Sequence, residues 1–300
     1  MGSQQAVMSL GVDAPVIGSR FFAPPPEFKG CFTTFYRLTL DLPDGDMISD
    51  YMQPEWASLR FFSGARPMAT IGQDELSGAR FAATGVSSMP ARFTIGSTKM
   101  WGIGILPLGW ARLFDADARQ LANRLVDGEQ HPLFSRLAPL ADILGDETIS
   151  DDKQYCAIVE AMRSTMRLHR DEARIIRVHE ALLEADLKTV SDMAECAGLT
   201  VRSLERRCHR HFGFAPKILM RRQRFVRSLT TFILDSDGKW SEAMDVHYHD
   251  QSQFSREFTR FMGMRPSKFA TLDHPFMKAF VAARTELLGS AAQTLDAPDR

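Results

Sequence analysis

Two stretches near the end of the 300-residue chain repeat one pattern, and this repeat constrains the fold more than any other feature of the sequence. Each copy has a small residue, a turn residue four positions later, an apolar core residue, and then Gly-x-x-Pro. A small residue lets two helices cross closely, and a turn residue with little side chain lets the backbone reverse, so each copy predicts a short helix, a tight turn and a second helix. The matching residues are Ala194, Gly198, Leu204, Gly213 and Pro216 in the first copy, and Ala243, His247, Phe254, Gly263 and Pro266 in the second.

Helix start signals support this interpretation. Thr189, followed by Asp192 at the third helical position, predicts an N-cap, and Thr200 predicts the cap of the next helix. Pro216 predicts the first turn of a long helix to about residue 234, with a loop at 235–238 and a short helix at 241–246. Asp250, with Gln253 three residues later, predicts the cap of the second helix of the second copy.

Charge is distributed unevenly along the chain. Residues 1–173 hold 16 Lys/Arg and 21 Asp/Glu, whereas residues 174–270 hold 17 and 12. Nine basic residues and one acid, Glu205, fall within 202–227. A dense basic segment of this kind indicates a polyanion partner, with a solvated helix face as the alternative interpretation.

The two copies resemble the DNA-binding domain of the AraC/XylS family of transcriptional regulators. The matching text is TVSDMAECAGLTVRSLERRCHRHFGFAPKILMRRQRF in the first and DQSQFSREFTRFMGMRPSKF in the second. The resemblance covers about residues 174–272 and implies a seven-helix domain whose two recognition helices enter successive major-groove segments on one face of DNA. The chain departs from the family at His247, where Gly is usual, at Gln253, where His is common, and at Cys208, where a core Phe is usual. His247 therefore predicts a different second turn.

The resemblance also implies which side chains read the DNA. Arg202, Glu205 and Arg206 share one face of the first recognition helix, and Arg can pair with guanine while Glu can accept from cytosine. Glu205 has the alternative role of orienting its arginine neighbours, and the long-helix arginines suit phosphate contacts or a solvated face. Leu204, Cys208, Phe254 and Phe258 are expected in the core. The predicted DNA-contacting residues are Arg202, Glu205, Arg206, Arg207, Arg210, Arg221, Arg222, Gln251, Ser252, Gln253 and Arg256.

The N-terminal half has a different pattern. From about Phe21 to Leu113, short apolar runs are broken by turn residues, which is typical of strands in a small barrel or sandwich. Helical periodicity follows from about Ala111, and the polar segment 146–154 predicts a boundary. We therefore expect an α+β protein: a small β-barrel-like (cupin-like) sensor or dimerisation domain with flanking helices at 1–150, a helical connection at 151–173, an all-α domain with two helix-turn-helix units at 174–272, and a tail at 273–300 that frays from 287.

The sequence argues against an enzyme, a metal and a cofactor. No histidine precedes His131, so a cupin-type metal site lacks its usual ligands. The sequence contains no P-loop, GxSxG or HExxH motif. The four cysteines form no CxxC pair, and Cys31 has no neighbouring group that would activate it. Seven aromatic residues either line an effector pocket or form ordinary core: Phe32, Phe35, Phe61, Phe62, Phe81, Phe93 and Trp101.

Three hypotheses follow for the whole chain. The first is a promoter-specific activator or repressor of double-stranded DNA, controlled by a small-molecule effector. The second is a ligand-independent regulator whose N-terminal domain dimerises or meets another protein, with RNA polymerase a further candidate partner. The third, an enzyme fused to a DNA-binding module, would need an activated Cys31. The first eleven residues lack a signal-peptide pattern and no apolar run reaches membrane-spanning length, so a cytoplasmic location without membrane contact is expected.

Overall fold

Two antiparallel sheets make up the N-terminal part of the computed structural model, which describes residues 3–9, 16–235 and 239–298. The larger sheet has the strand order β1-β2-β3-β10-β5-β8-β11 and the smaller has the order β4-β9-β6-β7. The strands are β1 (Ser3–Ser9), β2 (Val16–Phe22), β3 (Phe32–Asp41), β4 (Ile48–Met52), β5 (Ala57–Phe62), β6 (Met68–Ile71), β7 (Asp74–Ser77), β8 (Phe81–Thr84), β9 (Ala91–Ile95), β10 (Thr98–Ile105) and β11 (Leu125–Asp127).

Strand β10 lies at the centre of the larger sheet and shows how the local sequence sets the fold. It pairs with β3 on one side and β5 on the other, with Ile103 opposite Phe35 and Leu59. A Cβ at Gly102 would lie 1.9 Å from the ring of Tyr36, so glycine leaves room for that ring. Strand β10 ends at Ile105, because Pro107 opens a helix and has no amide hydrogen for the ladder.

Most of the rest of the described chain is helical, as the change of period predicts. The α+β class is therefore confirmed, with the sheets N-terminal and the repeat in the helical region. The helices are α1 (Pro107–Phe114), α2 (Leu140–Gly145), α3 (Asp151–Thr165), α4 (Glu172–Leu183), α5 (Val190–Cys196), α6 (Val201–Phe212), α7 (Pro216–Asp235), α8 (Trp240–Ala243), α9 (Gln251–Met262), α10 (Pro266–Phe269) and α11 (Pro275–Leu288).

One apolar core runs from the larger sheet into the first copy of the repeat. It includes Trp56 of the β region, Phe212 at the end of α6 and Leu219 of α7. A separate cluster packs α7 against α9 around Phe225 and Phe258. The first copy is thus packed directly on the β region. The division into 1–150, 151–173, 174–272 and 273–300 stays a prediction.

Two local expectations differ from the structure. The predicted fraying from residue 287 is wrong for the described residues, since α11 extends to Leu288 and Ala292 and Thr294 are buried. Helix α8 is also shorter than the predicted 241–246 helix, because the chain leaves helical geometry at Met244. Residues 236–238 of the predicted loop lie outside the described residues. Within the described ranges, none of the helices has the length and apolar character needed to cross a bilayer.

Candidate nucleic-acid interface

The first unit, α5 and α6, begins and turns where the sequence indicates. The Thr189 hydroxyl accepts a hydrogen bond from the Asp192 amide at 3.1 Å, and the Asp192 carboxylate accepts one from the Thr189 amide at 2.9 Å. Thr200 caps α6 by accepting from the Ser203 amide at 3.2 Å. Gly198 sits between the helices with φ of 63°, a left-handed conformation that favours glycine. The predicted capping box and tight turn are confirmed.

The second unit, α8 and α9, uses a different turn. Left-handed residues other than glycine in the described chain are Asp115, Asn123 and His274, so His247 does not take the conformation that Gly198 takes. Instead its amide and its Nδ1 both lie 2.9 Å from the Asp245 carboxylate. This finding agrees with the prediction that His247 alters the turn. Because the side chain anchors the backbone, the turn has no need of a left-handed residue.

Helix α9 is held at its start by two side chains. Asp250 accepts a hydrogen bond from the Gln253 amide at 2.6 Å, and the Gln253 side chain accepts one from the His249 amide at 3.0 Å. Gln253 therefore serves the N-terminus of the helix, as the sequence spacing indicated. Its half-buried side chain is less available to DNA than its neighbours on the helix.

The inner faces of the recognition helices α6 and α9 are packed as expected. Leu204 and Cys208 are fully buried under α6, and Phe254 and Phe258 are buried under α9. The short Cys208 side chain is accommodated at a position where the resemblance implies Phe. These apolar faces fix the rotation of each helix and so determine which side chains point outward.

The outer faces carry the predicted base-reading residues. In the part of the chain that the structure describes, the following six side chains are exposed and make no side-chain hydrogen bond or ion pair: Arg202, Glu205, Arg206, Gln251, Ser252 and Arg256. The three residues on α6 and the three on α9 lie in the first two turns after the N-cap of their helix. Both units therefore present free polar groups, and Arg202 and Arg206 correspond in the repeat to Ser252 and Arg256.

Two predicted DNA contacts are contradicted by burial. Arg222 is completely buried, with its guanidinium carbon 4.0 Å from the ring centre of Trp56, and it donates to the Ser87 carbonyl at 3.0 Å. Burial lowers the pKa of Arg222 to about 9. Arg207 is 7% exposed and bonds to Ser203 and Asp171. Both side chains face the protein in this structure, because their helices pack against neighbours that the local sequence does not reveal.

The remaining predicted contacts are engaged with acids. Arg210 lies 2.9 Å from Asp115, and Arg221 lies 2.8 Å from Glu257. Glu257 also holds Arg224 at 2.7 Å and accepts from the Tyr248 hydroxyl at 3.1 Å. This buried carboxylate fixes the face of α7 against α9.

A polar cleft of about 620 Å³ lies between the two units. Its walls come from α7, from the loop before α5 and from the start of α9. The list of predicted contacts omitted Lys188 and Lys217, although basic residues recur along α7 at 217, 221, 224 and 227, a helical spacing that marks one face. The basic residues that line the cleft are Lys188, Lys217, Arg221, Arg224, Arg227 and Arg256.

The structure brings together a cluster that sequence reasoning missed. Ligand atoms of His169, Asp171 and His211 lie within 4.8 Å of one another. The Asp171 carboxylate is already paired with Arg174 at 3.1 Å and Arg207 at 3.3 Å. Two guanidinium groups on the carboxylate oppose a bound cation, so the arrangement does not favour a metal site.

The Cys31 thiol does not have the environment of a nucleophile. It is fully buried, and burial raises its pKa to about 11. A thiol that stays protonated at neutral pH is a poor nucleophile. This finding speaks against the third hypothesis, an enzyme that would need an activated Cys31.

A second, mostly apolar cavity of about 70 Å³ lies between the two sheets. Phe62 and Phe93 of the seven predicted pocket aromatics line it; Phe32, Phe35, Phe61, Phe81 and Trp101 belong to the main core instead. Its polar groups include Arg60, paired with Glu55, and Tyr36. Phe276 of α11 completes the wall.

Fold and surface together define a DNA-binding transcriptional regulator of the helix-turn-helix class. A family model described as a helix-turn-helix domain matches residues 193–271. The matched segment is a helix-turn-helix domain of the AraC type.

Three solved structures match much of this chain at low sequence identity. ToxT from Vibrio cholerae matches 75% of this chain and 97% of its own, with 12% identity and a TM-score of 0.41. The AraC-like transcriptional activator CuxR matches 76% and 87%, with 12% identity and a TM-score of 0.33. ToxT with a bound unsaturated fatty acid matches 76% and 95%, with 11% identity and a TM-score of 0.40. No curated protein sequence matches this chain.

Two buried histidines predict acid sensitivity. Burial lowers the pKa of His179 to about 3 and that of His211 to about 4, so both are neutral in the folded state while the unfolded chain takes up protons near pH 6.5. Stability should therefore be fully present above pH 6.5 and fall as the pH drops to 4, by up to about 1.4 kcal/mol per pH unit for each histidine. Urea unfolding at several pH values in this range should give a smaller slope of unfolding free energy against pH for His179→Gln than for the wild type. The exposed control His249→Gln should retain the wild-type slope, and an unchanged slope for His179→Gln would contradict the assignment.

Proposed function

We propose that this regulator reads an operator with two recognition helices placed on one face of the DNA. Arg202, Glu205 and Arg206 of α6 would contact one major-groove segment, and Gln251, Ser252 and Arg256 of α9 would contact the next. The observation that carries the proposal is that both outer faces are exposed and free of internal partners. Their inner faces are buried, so the orientation is fixed before DNA binds.

The cleft between the units suits the phosphate backbone. It is lined by the start of α5, by α7 and by the start of α9, and it carries six basic side chains against Glu184 and Glu257. Lys217 is exposed on α7, and Arg221 is half-buried beside it. Such side chains position a protein on the duplex without reading its sequence. Arg210 could join them only by leaving Asp115.

Selection from a pool of random duplexes tests the function. The full chain should enrich a motif of two blocks about one helical turn apart, roughly 34–36 Å from centre to centre. Binding should weaken as the salt concentration rises, because the cleft and the recognition helices displace counterions. A folded protein that enriches no motif at either of two salt concentrations would oppose this function.

Substitution of one arginine in each unit tests the assigned faces. Arg206→Ala and Arg256→Ala should each weaken binding to the selected motif by about 1–3 kcal/mol and relax the preference within one block only. Fluorescence anisotropy with duplexes altered in either block would measure this. Arg66→Ala, an exposed arginine in the turn before β6, is the matched control. Wild-type affinity in both variants would remove these residues from the reading faces.

We further propose that the two sheets form one small barrel-like, cupin-like unit that senses a signal. The cavity between them is apolar apart from groups such as Arg60 and Tyr36, which suits a small apolar molecule with one hydrogen-bonding group. Its 70 Å³ is well below the roughly 300 Å³ of typical ligand sites, so a ligand would have to displace a wall. The same small volume favours the alternative in which this unit serves dimerisation or a protein partner, such as RNA polymerase.

A test for ligand binding in the cavity should distinguish a small-molecule sensor from a unit that serves dimerisation or a protein partner. Small apolar carboxylates and alcohols would be screened against the full chain by thermal unfolding, since a bound ligand raises the midpoint. Ala91→Leu should abolish any such rise, because Ala91 lines the cavity. Arg92→Leu places the same side chain on the neighbouring, exposed position of β9 and should leave the rise intact. Stabilisation that survives Ala91→Leu would locate the ligand elsewhere.

A further inference from the structure

The segment after the second unit returns to the sheets, and we call residues 273–298 the C-terminal strap. The helix-turn-helix match ends at residue 271, so the strap lies beyond the repeat. Its helix α11 packs on the β region through Phe280, whose ring centre lies 5.0 Å from that of Tyr36. Phe276 meets Phe93 of β9 at 5.0 Å. The strap therefore connects the second unit to the β region by a second route, separate from α7.

A buried polar joint lies at the start of the strap. His274 takes a left-handed conformation with φ of 48° and is 4% exposed. Its Nδ1 lies 2.9 Å from the Asp50 carboxylate of β4, and its Nε2 lies 3.0 Å from the Phe269 carbonyl. Both nitrogens face acceptors, so the ring can donate both bonds only as the imidazolium. This contact ties a strand of the smaller sheet to the backbone of α10.

Asp50 has a second role in the same joint. Its other carboxylate oxygen accepts a hydrogen bond from the Met277 amide at 2.9 Å. His274 precedes α11 without capping it, so Asp50 supplies the cap from a different part of the chain. Asp50 is 1% exposed, and loss of either bond would leave buried polar groups unpaired.

The joint is in contact with the core of the second unit. The His274 ring stacks on Phe269 at 3.8 Å, and Phe269 packs on Phe258 of α9 at 5.4 Å. The first unit packs on the β region directly, since the ring centre of Phe212 in α6 lies 5.8 Å from that of Trp56.

We propose that Asp50 and His274 are positioning residues. They hold the second recognition helix in the orientation, relative to the first, that DNA binding requires. The same helix α11 also supplies Phe276 to the wall of the cavity. Movement of that wall would therefore change the joint, and through it the orientation of α9. This role rests on the proposed reading of DNA by two recognition helices and does not depend on the identity of an effector.

Asp50→Asn tests the joint, because the amide keeps the size of the side chain but cannot accept at both positions. Anisotropy would compare the full chain on a duplex with both blocks and on one with the second block scrambled. Affinity for the two-block duplex should fall roughly tenfold, towards that for the scrambled duplex, while affinity for the scrambled duplex is retained. Asp41→Asn, at an exposed carboxylate that ends β3, should match wild type. An equal loss on both duplexes, or no loss, would overturn the proposal.

Amide hydrogen exchange provides a readout that needs no DNA. In Asp50→Asn, exchange should speed up in α9 and stay at the wild-type rate in α6. His274→Gln, which keeps at most one of the two bonds, should show the same contrast if Asp50→Asn does not fold. Wild-type exchange in α9 in whichever variant folds would overturn the proposal. If the wild-type chain binds no duplex, the proposed operator reading fails, and the exchange experiment still decides whether the joint holds α9.

Discussion

The guanidinium of Arg222 over the indole of Trp56 is the contact on which the placement of α7 depends. It places the middle of α7 against the β region, and α7 is the helix that separates the two recognition helices. Among the described residues this buried side chain has no carboxylate partner, and backbone carbonyls and an aromatic face hold it. Such a site is costly to assemble, so the surrounding core must hold it in place. Phe212, stacked edge-on against the same indole, belongs to that core.

The two units are consequently anchored in different ways. The first is packed on the β region along one continuous apolar core. The second packs on α7 and is connected to the sheets by the strap. Two units that repeat one sequence pattern are therefore supported in different ways.

Local signals in the sequence predicted local structure well. Thr189, Thr200 and Asp250 act as caps because a cap needs only its own helix. The burial of Leu204 and Phe254 could be predicted because helical periodicity alone places them on the inner face of each helix. The burial of Arg222 and the position of the strap could not be predicted, since they depend on Trp56 and Asp50, far away in the sequence. The burial of Arg207 could not be predicted for the same reason. Arg207 lies in a basic stretch of the sequence, but its partner Asp171 lies at the start of α4.

The acids among the basic residues affect the thermodynamics of DNA binding. Glu257, Asp245 and Asp115 hold Arg221, Arg224, Arg227 and Arg210 in internal ion pairs. A paired arginine recruits few additional anions from solution, so it contributes little when counterions are released on contact with phosphate. The effective charge of this surface is therefore set by its unpaired side chains and is smaller than the number of basic residues implies. Non-specific attraction to DNA is thereby moderated, and a larger share of the affinity falls to the residues that distinguish one base pair from another.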